Sequence, residues 1–209
     1  MEDFMTGKRT FMALEICAFL FIAASGMAME NLVNGGFEET QIMDQKSGYT
    51  EILTNAGWKF DTPLVFPVSW KTNSGVKTIN GEYRLVTDPA LAHGGNNSVF
   101  IRGHISTGKV SEVSPGEKYE ITFYAKDPGM KPVSAHFYLY GLNDKNKMSF
   151  ASSISFSGKT NAEWTKITGI LEIPEKGANV EKISGATLAI SSNNGAYIDD
   201  VQILQKKAE

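Results

Sequence analysis

Lys118-Tyr119-Glu120-Ile121-Thr122-Phe123-Tyr124-Ala125-Lys126 decides the fold class. Tyr119, Ile121, Phe123 and Ala125 fall on one side of a two-residue period, and Glu120, Thr122, Tyr124 and Lys126 on the other. Side chains alternate across a strand, so this run predicts one buried face and one polar face. The preceding Ser114-Pro115-Gly116-Glu117 has the chemistry of a type II turn, in which proline fixes one φ and glycine takes the positive φ that follows. Val133 to Tyr140 repeats the alternation, with Val133, Ala135, Phe137 and Leu139 against Ser134, His136, Tyr138 and Tyr140.

Further strands are expected over Glu82–Thr87, Ser98–Arg102, Ile105–Val113, Met148–Phe156, Trp164–Ile173, Ala186–Ser191 and Ala196–Leu204. Asn80-Gly81 and Asn194-Gly195 read as two-residue type I′ turns, because both central positions need positive φ. No sustained helical periodicity follows residue 28. Short strands punctuated by turns predict an all-β domain, a sandwich or jelly roll. Thr40 to Pro67 departs from that pattern. It reads as a long irregular loop carrying Tyr49, Trp58, Phe60 and Phe66, and loops of that length usually serve function.

The 209 residues are 42% hydrophobic and 21% charged, which fits one domain with a core. A formal charge of -3 offers no basic field for nucleic acid or anionic lipid. Residues 1–28 have the pattern of a secretory signal peptide: Lys8 and Arg9, a mostly apolar Phe11 to Ala24, then Gly26-Met27-Ala28. Glu15 interrupts the apolar run, which is shorter than the ~20 residues a spanning helix needs. The expectation is one domain over 29–209, secreted or held at the cell surface or in the periplasm, with no membrane insertion of the mature chain. The single cysteine, Cys17, lies in the leader, so core packing and a metal would stabilise the domain without a disulfide.

Two constellations carry chemistry. Asp199 shares a strand face with Val201 and Ile203 by the two-residue period, which makes it a core-facing carboxylate. Such a group must be neutralised, hydrogen-bonded or coordinated. Glu38 follows the Asn34-Gly35-Gly36 turn. Two carboxylates and the carbonyls of a glycine turn can supply the six to eight oxygens that Ca²⁺ takes. Equally, both carboxylates can cap turns or pair with lysine or arginine.

The second constellation is aromatic. Tyr124, Tyr138 and Tyr140 fall on solvent-side positions beside His136, with Arg102 at the end of a neighbouring strand. Exposed rings rimmed by polar groups mark binding surfaces. The same rings can instead form a small second core beneath the Thr40–Pro67 segment. Trp58 is the freer of the two tryptophans flanking that segment and the better stacking residue. No nucleophile elbow, phosphate loop or zinc motif is present, so a non-catalytic protein is expected. A lyase centre built from His136, Tyr138 and Arg102 is a minor alternative.

Asn31-Leu32-Val33-Asn34-Gly35-Gly36-Phe37-Glu38, Ala92-His93-Gly94-Gly95-Asn96-Asn97-Ser98-Val99, Ser114 to Lys126, and Tyr197 to Leu204 together resemble the galactose-binding-domain-like jelly rolls. The resemblance is closest to carbohydrate-binding modules of families 4, 9, 16 and 22. It covers nearly the whole of 31–204. It implies a jelly-roll β-sandwich, a polysaccharide or oligosaccharide ligand, and a structural Ca²⁺ held by Glu38, Asp199 and carbonyls near Gly95 to Asn97. It also implies packing roles for Trp70 and Trp164. No hydrolase domain accompanies the module, which leaves open a structural or adhesive surface protein that binds another protein.

Overall fold

A computed structural model describes residues 35–43, 49–55, 57–72, 81–107 and 110–206. The leader, Asn31 to Asn34, and Asn80 of the Asn80-Gly81 turn lie outside these described residues. The elements are β1 (Thr40–Ile42), α1 (Tyr49–Asn55), β2 (Lys59–Phe60), β3 (Val65–Pro67), β4 (Trp70–Lys71), β5 (Glu82–Val86), β6 (Ser98–Thr107) and β7 (Ser111–Glu112), then β8 (Lys118–Lys126), β9 (Val133–Leu142), β10 (Met148–Gly158), β11 (Thr165–Glu172) and β12 (Ile183–Lys206). They form a jelly-roll β-sandwich.

Hydrogen bonding runs β10-β9-β12-β6-β5-β2, while β8 attaches along β12 and carries β11 on its other edge. The N-terminal half of β12 pairs with β9 and its C-terminal half with β8, so one strand serves both layers. The inward faces are those the alternation predicts. Tyr119, Ile121, Phe123 and Ala125 of β8, and Val133, Ala135, Phe137 and Leu139 of β9, are buried. Tyr119 meets Phe137 edge-on at 5.6 Å, which closes one layer on the other. Each such ring contributes about 1.5–3 kcal/mol on burial. The type II turn forms as expected, with Gly116 at φ 82 and Glu117 N–H donating to the Ser114 carbonyl at 3.2 Å.

Two expectations are corrected. Asn194-Gly195 is not a hairpin turn, because β12 runs through it. The register with β6 breaks between Ser192 and Ala196 and then resumes, so the extra residues form a bulge, with Gly195 at φ 97. The Thr40–Pro67 segment is not a free loop. It folds as β1 paired antiparallel to β3, with α1 and β2 between them, and it buries Leu53, Trp58, Leu64 and Phe66. Phe66 stacks on Tyr83 at 4.2 Å, so this segment completes the core.

Candidate functional site

The two ends of the domain meet at the turn formed by residues 93–97. Val201 N–H donates to the Gly35 carbonyl at 2.9 Å. Asp199 is 0% exposed. Its Oδ2 accepts from the His93 and Gly94 amides at 2.8 and 3.1 Å, and its Oδ1 from the Asp200 amide at 2.7 Å. At the other end of the turn, Glu38 Oε1 accepts from the Asn96 and Asn97 amides at 2.8 and 3.0 Å. The Asn97 side-chain amide donates to the Phe37 carbonyl at 3.1 Å. A Cβ on Gly95 would overlap the Glu38 carboxylate, so only glycine lets that group close on the turn.

Asp199 does not share the core face of Val201 and Ile203. It is the register partner of Tyr124, whereas Gln202 partners Thr122, and the strand slips between them at Asp200, whose φ is 46. That bulge resets the alternation. Asp199 therefore points the way Tyr124 does, out of the sandwich, and the 93–97 turn buries it. Burial pushes its carboxyl up to about 6, against the pull of the Gly94, His93 and Asp200 amides and with a further push from the Asp200 charge.

Glu38 and Asp199 thus grip opposite ends of one turn through its amides. Among the described residues no three His, Cys, Asp or Glu side chains converge as a metal centre. No lysine or arginine ion-pairs with Asp199 among the described residues. A buried anion without a cationic partner is compatible with a cation.

Tyr124 does not join the β9 tyrosines. It lies on β8 with the His93 ring stacked on it at 3.5 Å, and Trp164 meets that imidazole edge-on at 5.8 Å. His93 Nδ1 also contacts Asp200 Oδ2 at 2.7 Å. Tyr124 and Trp164 therefore support the turn that holds the chain ends together. Trp70 packs edge-on against Phe37 at 5.4 Å in the core.

The outer face of β9 is different. His136, Tyr138 and Tyr140 are each half-buried, as the alternation predicts for the side facing away from the core. Phe150 of β10 joins them: it is the register partner of Tyr140 and its ring lies 6.1 Å from Tyr140 and 6.4 Å from Tyr138. A bulge at Ala151 allows this, because Ser153, an odd number of residues away, faces the same side opposite Tyr138. Phe150 is 53% exposed. Ser153 and Ser155 carry the face along β10 opposite Tyr138 and His136. Burial, then the neighbouring Tyr140, pushes the Tyr138 phenol up.

His136 Nε2 contacts Ser191 Oγ on β12 at 2.8 Å, and the cross-strand partner of Ser191 is His104 on β6. Burial lowers the His136 imidazole, and burial plus His136 lowers that of His104. Trp58 covers His104 edge-on at 6.0 Å and is only 4% exposed, so it is not the open stacking ring its sequence position implied. The folded 40–67 segment packs it into the core. Arg102 lies two residues before His104 but is paired to Glu82 at 3.3 Å. Nothing brings it to His136 and Tyr138 as the lyase alternative requires. Sequence reading missed Phe150 and His104. Phe150 has no periodic signal because of the bulge, and His104 falls in the gap between the expected strands Ser98–Arg102 and Ile105–Val113, which β6 bridges.

No family model matches the chain, and no curated protein matches it. Among solved structures it is similar to the CBM22-1 xylan-binding domain of Xyn10C from Paenibacillus barcinonensis, 18% identical, covering 68% of this chain and 88% of that one with a TM-score of 0.43. It is similar to TmCBM61, solved with β-1,4-galactotriose, at 14% identity over 86% of this chain and 100% of that one, TM-score 0.40. It is also similar to a cyclase from Fischerella sp. TAU, 14% identical over 89% of this chain and 100% of that one, TM-score 0.44. At these identities the likeness concerns the fold alone.

Proposed function

We propose that this chain is a secreted, non-catalytic polysaccharide-binding protein that takes its ligand on the outer face of β9 and β10. One observation carries the reading: the exposed Phe150 ring set between Tyr138 and Tyr140, with the Ser153 and Ser155 hydroxyls beside it. A sugar has apolar C–H faces that pack on rings and hydroxyls that need donors and acceptors, and this face offers both. Sugar hydroxyls exchange water for protein partners with little net gain, so ring contact supplies most of the affinity and binding is weak, micromolar to millimolar. A glycan array followed by calorimetry tests it. Phe150→Ala with Tyr140→Ala should abolish binding while the melting temperature barely moves. Silence across neutral and acidic glycans removes the reading.

A structural Ca²⁺ is part of the proposal. Glu38, Asp199 and carbonyls near Gly95 and Asn97 would hold it, and the support is the buried Asp199 charge with no cationic side chain against it. One observation favours the adhesive, protein-binding alternative. Ile170 and Leu204 are 56% and 52% exposed on the outer face of the other layer, in register either side of Glu120.

A further inference from the structure

His104 and His136 sit on one face of the sheet, on either side of β12, with Ser191 between them as the cross-strand partner of one and the hydrogen-bond partner of the other. His104 is 6% exposed, and its Nε2 has no hydrogen-bond partner. The imidazole of His136 lies parallel to the Tyr138 ring at 6.1 Å, so it is continuous with the aromatic face. Among the described residues the charged groups facing the pair are few. Arg102 on β6 and Arg84 on β5 are both engaged by Glu82 at 3.3 and 3.2 Å. Lys71 on β4 is the partner of Ser106, and Lys59 on β2 that of Glu82. Tyr138 and Tyr140 are the titratable neighbours on β9. The outward positions of β10 and β12 against the pair carry serine, threonine and alanine.

Around His136 and Tyr138 the face is therefore uncharged among the described residues while both imidazoles are neutral, and Glu112 of β7 stands in register with Tyr140 across Gly185. Burial holds both imidazoles neutral, and at His104 the nearby His136 adds to it. A carboxylate brought onto the face would reverse that balance, because an imidazolium N–H is a charge-assisted donor to it. We propose that His104 and His136 form a proton-coupled recognition pair, so that the face binds an acidic, uronate-bearing glycan together with one proton and a neutral glycan with none. Repulsion between two imidazolium groups limits the uptake to one. The inference rests on the reading of this face as a glycan site. His136, the more open of the two, takes the proton. Affinity for the acidic glycan then rises by about tenfold per pH unit as pH falls below the range of the bound imidazolium.

Calorimetry on the full chain tests this with an oligogalacturonide and a neutral cello-oligosaccharide, at about pH 5.5 and about pH 7.5. Buffers of different ionisation enthalpy count the protons. The expected result is tighter oligogalacturonide binding at the lower pH with uptake of about one proton, and no uptake with the neutral sugar. His136→Gln should abolish the uptake, and His93→Gln, on the other layer, should keep it. If the neutral sugar binds but the acidic one shows neither pH dependence nor uptake, the pairing is overturned and the glycan face stands. Uptake that survives both His136→Gln and His104→Gln also overturns it. If neither sugar binds at either pH, the glycan face fails and the inference with it.

Discussion

Replacing Asp199 by asparagine tests the account of the clamp at the chain ends. Its carboxyl is raised from 3.8 to about 6, chiefly by burial. The native state therefore holds a proton that the unfolded chain releases first. The stability this group contributes is fully present below about pH 3.8 and is lost as pH rises through about 6. A shift of that size corresponds to about 3 kcal/mol, of which about 2–3 kcal/mol falls between pH 4 and pH 7. Asparagine keeps the shape but has one acceptor oxygen for three amides, which adds a penalty that does not change with pH. Urea unfolding with chelator present, at several pH values, gives the difference between wild type and Asp199→Asn. That difference should move by about 2–3 kcal/mol against the wild type on going from pH 4 to pH 7. Saturating Ca²⁺ should reverse the trend for the wild type alone, because the ion binds the ionised form and stabilises the native state by mass action. A difference that stays flat across this range would show that the carboxylate is not desolvated as described. A wild type whose melt ignores both Ca²⁺ and chelator would remove the cation.

Gly35→Ala should destabilise the fold by about 1–3 kcal/mol, read as a lower urea midpoint, because its Cβ would overlap the Val201 carbonyl at the meeting of the chain ends. Trp58→Ala should cost about 3–5 kcal/mol and lower the melting temperature of the free protein, since the ring is buried against His104. A Trp58→Ala protein with unchanged stability would return that ring to the surface.

Strands whose pattern is uninterrupted are legible in the chain before it folds. In β8 and β9 the two-residue period names the core-facing residues and the outward ones, because pleating alone sets which way a side chain points, although outward Thr122 is buried as well. It placed Tyr138, Tyr140 and His136 on the face away from the core, while the family resemblance, rather than the periodicity, linked Glu38 and Asp199 to the glycine turn. The rest is set by packing, at three breaks in register. At Ala151 the slip brings Phe150 beside the tyrosines. At Ser192–Ala196 it joins two expected strands into one that serves both layers. At Asp200 it turns Asp199 out of the core and under the 93–97 turn. Tertiary packing likewise separated Tyr124 from the other tyrosines and drew Trp58 inside. The physical reason is the same in each case. Alternation is local and carries no memory across a bulge, and a bulge is fixed by what the partner strand and the opposite layer require. The sequence therefore gives the direction of a side chain within a strand, and the assembled sandwich gives which side chains meet.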